Sequence, residues 1–127
     1  MKTKLLILAG AGAMLAAGSA LAHHSGAMFD DQKSVTLQGT IKEFQFTNPH
    51  SWIQLYVPDA TGKQAEWSLE TNGVSQLFKK GWRPQSLKPG DKVTIVAHPL
   101  KSGNTGGSVM SVVDANGKKI GAAAGGD

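Results

Sequence analysis

The chain lacks cysteine, so it contains neither a disulfide nor a lipid-modified cysteine. It also lacks the motifs of several common enzymes: no nucleophile elbow, no glycine-rich phosphate loop before a helix and no zinc-protease helix occurs. Without cross-links, stability must come from the hydrophobic core of a single domain. The sequence therefore predicts no catalytic residues and favours a binding protein over an enzyme.

The first 22 residues have the three parts of a cleavable export signal. Lys2 and Lys4 give a positive start, residues 5–17 are uncharged and mostly apolar, and residues 20–22 fit the small-x-small cleavage pattern. A retained membrane anchor is the less favoured alternative, because spanning a bilayer takes about 20 apolar residues. We predict export to the periplasm, cleavage after Ala22, and no stable membrane anchor afterwards.

A strong positive charge is also missing from the remaining chain. The full sequence has 13 Lys and Arg against 9 Asp and Glu. Removing Lys2 and Lys4 with the signal leaves 11 against 9, a net charge of +2. Nucleic-acid binding is usually accompanied by a concentrated basic stripe, so the sequence predicts no nucleic-acid partner.

Period-2 alternation and turn residues predict a mainly β domain. The parity of the apolar residues switches near Lys42 and Glu43, which predicts a bulge or sharp bend in the first strand. A short helix follows the third strand, with Asn72 as its N-cap, Gly81 at its left-handed end and Trp82 packed back onto it. The predicted strands cover residues 35–46, 52–57, 65–70, 92–98 and 108–114.

This element order predicts a small five-stranded OB-like Greek-key barrel with one short helix between strands three and four. A five-stranded sandwich is the alternative. The predicted organisation is a signal peptide at 1–22, an N-terminal histidine segment at 23–33, the barrel at 34–114 and a Gly/Ala-rich disordered tail at 115–127.

Cleavage after Ala22 would place His23 and His24 at the new amino terminus. The free α-amine and the imidazole of His23 close a chelate ring, and a second imidazole completes a set of nitrogens that suits Cu(II). The alternative is that terminal histidines bind nothing specific. The sequence thus names copper as the candidate cofactor and no other.

Two further histidines are candidate metal ligands. His50 follows Pro49 in the turn between the first two strands, and His98 ends the fourth strand. In an OB-like barrel these places flank the usual binding face, so all four histidines could converge. For each of His50 and His98 alone, a hydrogen-bonded structural histidine is at least as well supported.

Trp52 and Tyr56 share one face of the second strand and could form a ligand platform for a glycan, peptide or partner protein. The alternative is that the N-terminal segment covers them through Phe29. Glu66 and Glu70 lie on the predicted exposed face of the third strand, where nothing makes them an acid/base pair.

Several short motifs occur in a fixed order along the chain: His23-His24-Ser25, Phe29-Asp30, TNPHSW at 47–52, EWSLE at 66–70, Gly81-Trp82 and LKPGD at 87–91. Together they resemble the domain of unknown function 6152 family of small exported bacterial proteins. The resemblance implies no activity, but it marks His23, His24, His50 and Trp52 as motif positions, whereas His98 lies outside the motifs.

These observations predict an exported protein that binds a metal ion, copper first, through the processed terminal histidine and the loop histidine. The alternative is a metal-free periplasmic binding module for a glycan, peptide or partner protein on the barrel face. A copper-dependent oxidative enzyme using the same terminus ranks last.

Overall fold

The computed structural model describes residues 25–121 of the chain. Within that range, no helix has the length and apolar character needed to cross a membrane. The elements are a 3₁₀ turn at Ser25–Met28, β1 at Val35–Gln45, β2 at Ser51–Pro58, β3 at Gln64–Thr71, α1 at Val74–Lys79, β4 at Lys92–Pro99 and β5 at Gly106–Asp114.

The five strands close into a barrel in the order β1-β2-β3-β5-β4. All neighbours are antiparallel except β3 and β5, which pair in parallel from Ser68–Gly106 to Glu70–Ser108. Because a parallel pair cannot be joined by a tight turn, α1 and β4 lie between these two strands in the chain. The predicted OB-like barrel is confirmed, and the sandwich alternative is wrong.

The first strand belongs to both halves of the barrel. Its beginning pairs with β4, from Val35–Ala97 to Thr40–Lys92, and its end pairs with β2. The register shifts between Ile41 and Glu43, where parity predicted a bulge. Such a bulge bends the strand and increases its twist, which lets one strand reach two neighbours.

The core is filled by the inward-facing residues of every strand. On β2 the alternation is strict: Ser51, Ile53 and Leu55 are fully buried, whereas Trp52 and Tyr56 face outward and are only half-buried. Burying one Leu or Ile side chain contributes about 1.5–3 kcal/mol, so a one-residue slip in this register would be costly. The core therefore fixes which side chains reach the outer face.

The helix ends as predicted but begins differently. Gly81 has a φ of +88°, and the amide of the buried Trp82 donates to the Leu77 carbonyl oxygen at 2.9 Å. Its N-cap is Gly73, so the prediction of Asn72 is wrong. The side chain of Asn48, which is distant in sequence, accepts the hydrogen bond that an N-cap side chain would normally accept.

The N-terminal segment continues alongside the end of β4. The amide of Asp30 donates to the Pro99 carbonyl oxygen at 2.9 Å, and the amide of Lys101 donates to the Met28 carbonyl oxygen at 2.9 Å. Phe29 forms an isolated β-bridge with Leu100 and not with β2. This β-bridge does not bring Phe29 to Trp52 and Tyr56, which the alternative prediction had it cover.

The C-terminal part of the described chain also departs from expectation. The amide of Ile120 donates to the Val112 carbonyl oxygen at 2.9 Å, and Ile120 packs against the core. The prediction of disorder from residue 115 is therefore wrong for residues 115–121, because a turn at Gly117 returns Ile120 to the barrel. Residues 122–127 lie outside the described residues.

Candidate functional site

The His50 imidazole contacts the Glu70 carboxylate at one end of the β2–β3 hairpin. His50 precedes β2, Glu70 is the penultimate residue of β3, and the distance from His50 Nδ1 to Glu70 Oε1 is 3.1 Å. The imidazole is 43% exposed, whereas the Glu70 side chain is only 8% exposed. The site is thus a buried carboxylate beneath an imidazole that reaches solvent.

The burial of Glu70 contradicts the exposure predicted for it. The parity is as expected, because Glu70 faces the outside of the barrel. However, its neighbours in register are Trp52 on β2 and Ser108 on β5, and the His50 imidazole contacts its carboxylate. Alternation identifies the face of a strand but not the side chains that cover it.

One carboxylate oxygen of Glu70 has no hydrogen-bond partner among residues 25–121. Within the described residues, Oε2 of Glu70 is the only buried side-chain nitrogen or oxygen in this state. Leaving a buried polar atom unpaired costs about 1–3 kcal/mol, and more for a charged group. A buried polar atom without a partner indicates a position where a ligand could bind. For a carboxylate oxygen, that ligand is a cation or a hydrogen-bond donor.

The loop that carries His50 is held by its own side chains. The buried Ser51 hydroxyl accepts from the Thr47 amide and donates to the Thr47 carbonyl oxygen, each at 3.1 Å. The Thr47 hydroxyl donates to the His50 carbonyl oxygen at 2.8 Å. The Asn48–Pro49 peptide bond is cis. These contacts fix the direction of the His50 backbone.

The same loop is attached to α1. Oδ1 of Asn48 accepts from the Val74 amide at 2.9 Å, which supplies the cap that Gly73 lacks. A Cβ on Gly73 would lie 2.7 Å from the Pro49 carbonyl oxygen, so only glycine permits this approach. An open cleft of about 420 Å³ lies here, lined by Asn48, Pro49, His50, Gly73, Ser75 and Gln76.

Hydrogen bonding determines which nitrogen of His50 is available. An ionised carboxylate accepts hydrogen bonds only, so Nδ1 of His50 carries the proton in its contact with Glu70. In the neutral ring this leaves the lone pair on Nε2. A histidine that donates one ring N–H to a carboxylate and presents the other nitrogen has the arrangement found in many metal sites.

His98 lies elsewhere on the outer face, at the end of β4. Its Nδ1 is 2.7 Å from the Lys33 carbonyl oxygen, and that oxygen can only accept. The bond therefore also leaves Nε2 of the neutral ring free. It ties His98 to the N-terminal segment, next to the place where β4 pairs with the start of β1. His98 pairs in register with Ser108, which separates it from Glu70.

The described part of the chain does not bring the predicted metal ligands together. Across residues 25–121, no three His, Asp or Glu side chains are grouped so that they could hold a metal ion. The structure joins His50 to Glu70 and leaves His98 apart. His23 and His24 lie outside the described residues.

The two aromatic residues predicted to form a ligand platform lie on the outer face of β2 and β3. Trp52 and Tyr56 share this face, and Lys42 Nζ lies 5.7 Å from the Tyr56 ring centroid. Lys42 also contacts Oε1 of Glu66 at 2.8 Å, and this hydrogen bond holds the pKa of Lys42 above its ordinary value. The Tyr56 end is therefore a polar, charged surface, whereas the Trp52 end adjoins buried Glu70.

The comparisons with known proteins identify a family without an assigned activity. No curated protein and no solved structure matches the chain. The family of unknown function DUF6152 matches residues 12–110, which is most of the sequence and includes both described histidines. The chain therefore belongs to this family.

Proposed function

We propose that the chain is an exported protein, cleaved after Ala22, that binds a transition-metal ion, copper first. The site consists of Nε2 of His50, backed by Glu70, together with the amine and imidazole of the processed His23. The observation that carries this proposal is the buried Glu70 carboxylate, which orients His50 through one oxygen and leaves the other unpaired.

Electrostatics support a cation at this position. A buried carboxylate loses hydration, and one neutral imidazole N–H offsets only part of that loss. A metal ion on Nε2 of His50 would add positive charge close to Glu70 while the Nδ1–H bond is kept. Hydrogen-bonded carboxylates of this kind fix ligand orientation and raise ligand basicity.

Copper is the first choice because of the donor types. An imidazole, a terminal imidazole and an amine are nitrogen donors that suit the tetragonal preference of Cu(II), whose affinity for such donors exceeds that of neighbouring divalent ions. His98 is a secondary candidate ligand, because its Nδ1 contacts the Lys33 carbonyl oxygen and Nε2 of the neutral ring is available. In register, Ser108 lies between His98 and Glu70.

Electron paramagnetic resonance tests the proposal on the exported protein, after intact mass has established its first residue. One equivalent of Cu(II) should give a mononuclear, nitrogen-rich signal. His50→Ala and His23→Ala should each change it, whereas His98→Ala tests the secondary ligand. A spectrum that is the same in wild type, His50→Ala and His23→Ala would refute the proposed site.

The second candidate function is a metal-free binding module. It is favoured by the position of Trp52 and Tyr56 on one outer face with Gln54 between them. The side-chain Nε2 of Gln54 donates to Gln45 Oε1 at 3.0 Å. Aromatic rings and fixed amides suit a glycan, a peptide or a partner protein. It predicts ligand-dependent tryptophan fluorescence that survives a chelator and is lost in Trp52→Ala.

A further inference from the structure

We propose that a groove on the outer face of the barrel, where β1, β2 and β4 meet, binds a carboxylated saccharide. This groove is independent of the metal site proposed above, because His50 precedes β2 whereas the groove includes Pro58, the last residue of β2. It shares Tyr56 with the metal-free module considered above, but Trp52 does not line it.

The groove lies where β1 passes from one neighbouring strand to the other. Thr40 is paired with Tyr56 of β2 and also with Lys92 of β4. Cross-strand partners direct their side chains to the same face of a sheet, so these three residues meet on the outer face. Two adjoining depressions of about 410 and 390 Å³ lie here, a size that suits a small ligand. The lining residues that carry the argument are Gln38, Thr40, Tyr56, Gln64, Lys92 and Asp114.

Lys92 supplies a positive charge that the described chain does not neutralise. Its Nζ donates to the Thr40 hydroxyl at 2.8 Å, and among residues 25–121 it forms no ion pair. An ammonium group has three N–H donors, and Thr40 accepts from one of them, which leaves two for a ligand. A carboxylate suits this position because hydrogen bonds between charged groups are about twice as strong as neutral ones.

The carboxylates at this end of the barrel are engaged by their own turns. Oδ1 of Asp114 accepts from the backbone amides two and four residues later, at 2.8 and 2.9 Å. Oδ1 of Asp59 accepts in the same way, at 2.8 and 3.1 Å. Each turn ends on a lysine, Lys118 and Lys63, and neither lysine forms an ion pair among the described residues. The rim of the groove therefore favours an anionic ligand.

The other lining groups suit the hydroxyl groups and the ring of a sugar. Gln38 and Gln64 each offer a side-chain amide with both donor and acceptor atoms. Tyr56 contributes an aromatic ring with a polar hydroxyl. Together with the Lys92 ammonium, these groups match a sugar unit that carries a carboxylate.

An anionic membrane surface and a nucleic acid fit the groove less well. Binding to a membrane surface uses exposed apolar side chains, and the large exposed apolar residues of the described chain, Met28 and Phe78, do not line the groove. Binding of a single-stranded nucleic acid uses several aromatic rings for successive bases. Among the described residues, Tyr56 is the only aromatic residue that lines the groove.

The test is calorimetric titration of the purified protein with tetragalacturonic acid, in a buffer that contains a metal chelator. The matched neutral probe is galactotetraose, which has no carboxylate. The acid is expected to bind, with an affinity that falls as the salt concentration rises. The neutral probe is expected to bind at least about tenfold more weakly, because it lacks the charged hydrogen-bond partner of Lys92.

Three variants assign the binding to the groove. Lys92→Gln removes the charge from an exposed side chain and should weaken binding of the acid by about tenfold. Lys92→Arg keeps the charge and should retain most of the affinity. The matched control is Lys101→Gln, the same substitution just beyond the other end of β4, and its affinity should equal that of wild type.

The outcomes that overturn the inference are defined by the same titrations. They are absence of binding of the acid, equal affinities for the acidic and neutral probes, an unchanged affinity in Lys92→Gln, and equal losses in Lys92→Gln and Lys101→Gln. Binding that depends on Trp52 but not on Lys92 would also overturn it, in favour of the metal-free module. The Cu(II) spectra proposed above are recorded without chelator, so failure of either proposal leaves the other standing.

Discussion

His50 and His98 each direct Nδ1 at an oxygen, yet their surroundings differ. The acceptor of His50 is the carboxylate of a buried Glu70, and its loop is braced on both sides. The acceptor of His98 is the neutral carbonyl of Lys33, in a segment that lies beside the end of β4. A charged, buried acceptor strengthens an imidazole as a ligand more than a neutral carbonyl does, so the two histidines should differ in metal affinity.

The largest expected effect is on copper affinity. Because outer-shell partners typically account for a 10–100-fold change, His50→Ala should weaken Cu(II) binding by more than about 100-fold. His98→Ala should weaken it by less, because its imidazole has no carboxylate behind it. Competition titration against glycine measures both, and equal losses would remove the distinction between the two histidines.

The second effect is on the bracing of the His50 loop. Gly73→Ala places a Cβ 2.7 Å from the Pro49 carbonyl oxygen and 2.9 Å from Asn48 Oδ1. Overpacking of this kind costs about 1–3 kcal/mol of unfolding free energy. Urea unfolding should show this loss, and Cu(II) affinity should fall with it.

The matched control lies on the side of His98. Gly26→Ala adds the same methyl group to the N-terminal segment, where nothing lies within 4 Å of the added Cβ. Its stability should equal that of wild type within error. If both variants unfold at the same urea concentration as wild type, the loop is not held against α1 as described.

A smaller effect distinguishes the observed helix cap from the predicted one. Asn48→Ala removes the acceptor of the Val74 amide and should cost about 1 kcal/mol, typical of a lost N-cap. Asn72→Ala removes only a contact of 3.4 Å from Lys80 Nζ and should cost less. Hydrogen exchange of the Val74 amide should accelerate in the first variant alone.

The smallest effect concerns the exposed carboxylate of β3. Glu66→Gln removes the main cause of the raised pKa of Lys42, so that pKa should fall toward its ordinary value in an NMR titration. When the pKa of a lysine is higher in the folded state than in the unfolded state, it stabilises the fold at pH values below the unfolded-state pKa. This contribution is lost as the pH rises through the folded-state pKa. Both groups are exposed, so unfolding at neutral pH should hardly change.

Local patterns of the sequence were sufficient for much of the barrel. The parity switch located the bulge between Ile41 and Glu43, and Gly81 marked the end of α1, because both depend on residues close in the chain. The cap of α1 was missed because Asn48 is distant in sequence. The packing of Ile120 against the core was also missed. The polar and Gly/Ala-rich sequence around Ile120 indicated a disordered tail, and a single apolar residue was not enough to indicate otherwise.

The candidate site was predicted only in part. His50 was identified from its place after Pro49, but Glu70 was assigned to a solvated face. The sequence did contain a signal for the burial of Glu70. The turn around Thr61 sets the β2–β3 register, and that register places the large Trp52 side chain next to Glu70. The further neighbours of Glu70, Ser108 and His50, depend on barrel closure and on the path of the loop before β2, which no local pattern reveals.

The parallel seam between β3 and β5 has a consequence for the opening motions of the barrel. Its register extends only from Ser68–Gly106 to Glu70–Ser108, whereas β2 and β3 pair along their full length. Local opening favours the interface with the fewest shared hydrogen bonds. Glu70 ends this parallel pairing, so local separation of β5 from β3 would remove Ser108 from beside its carboxylate and leave Glu70 covered only from the side of β2 and His50.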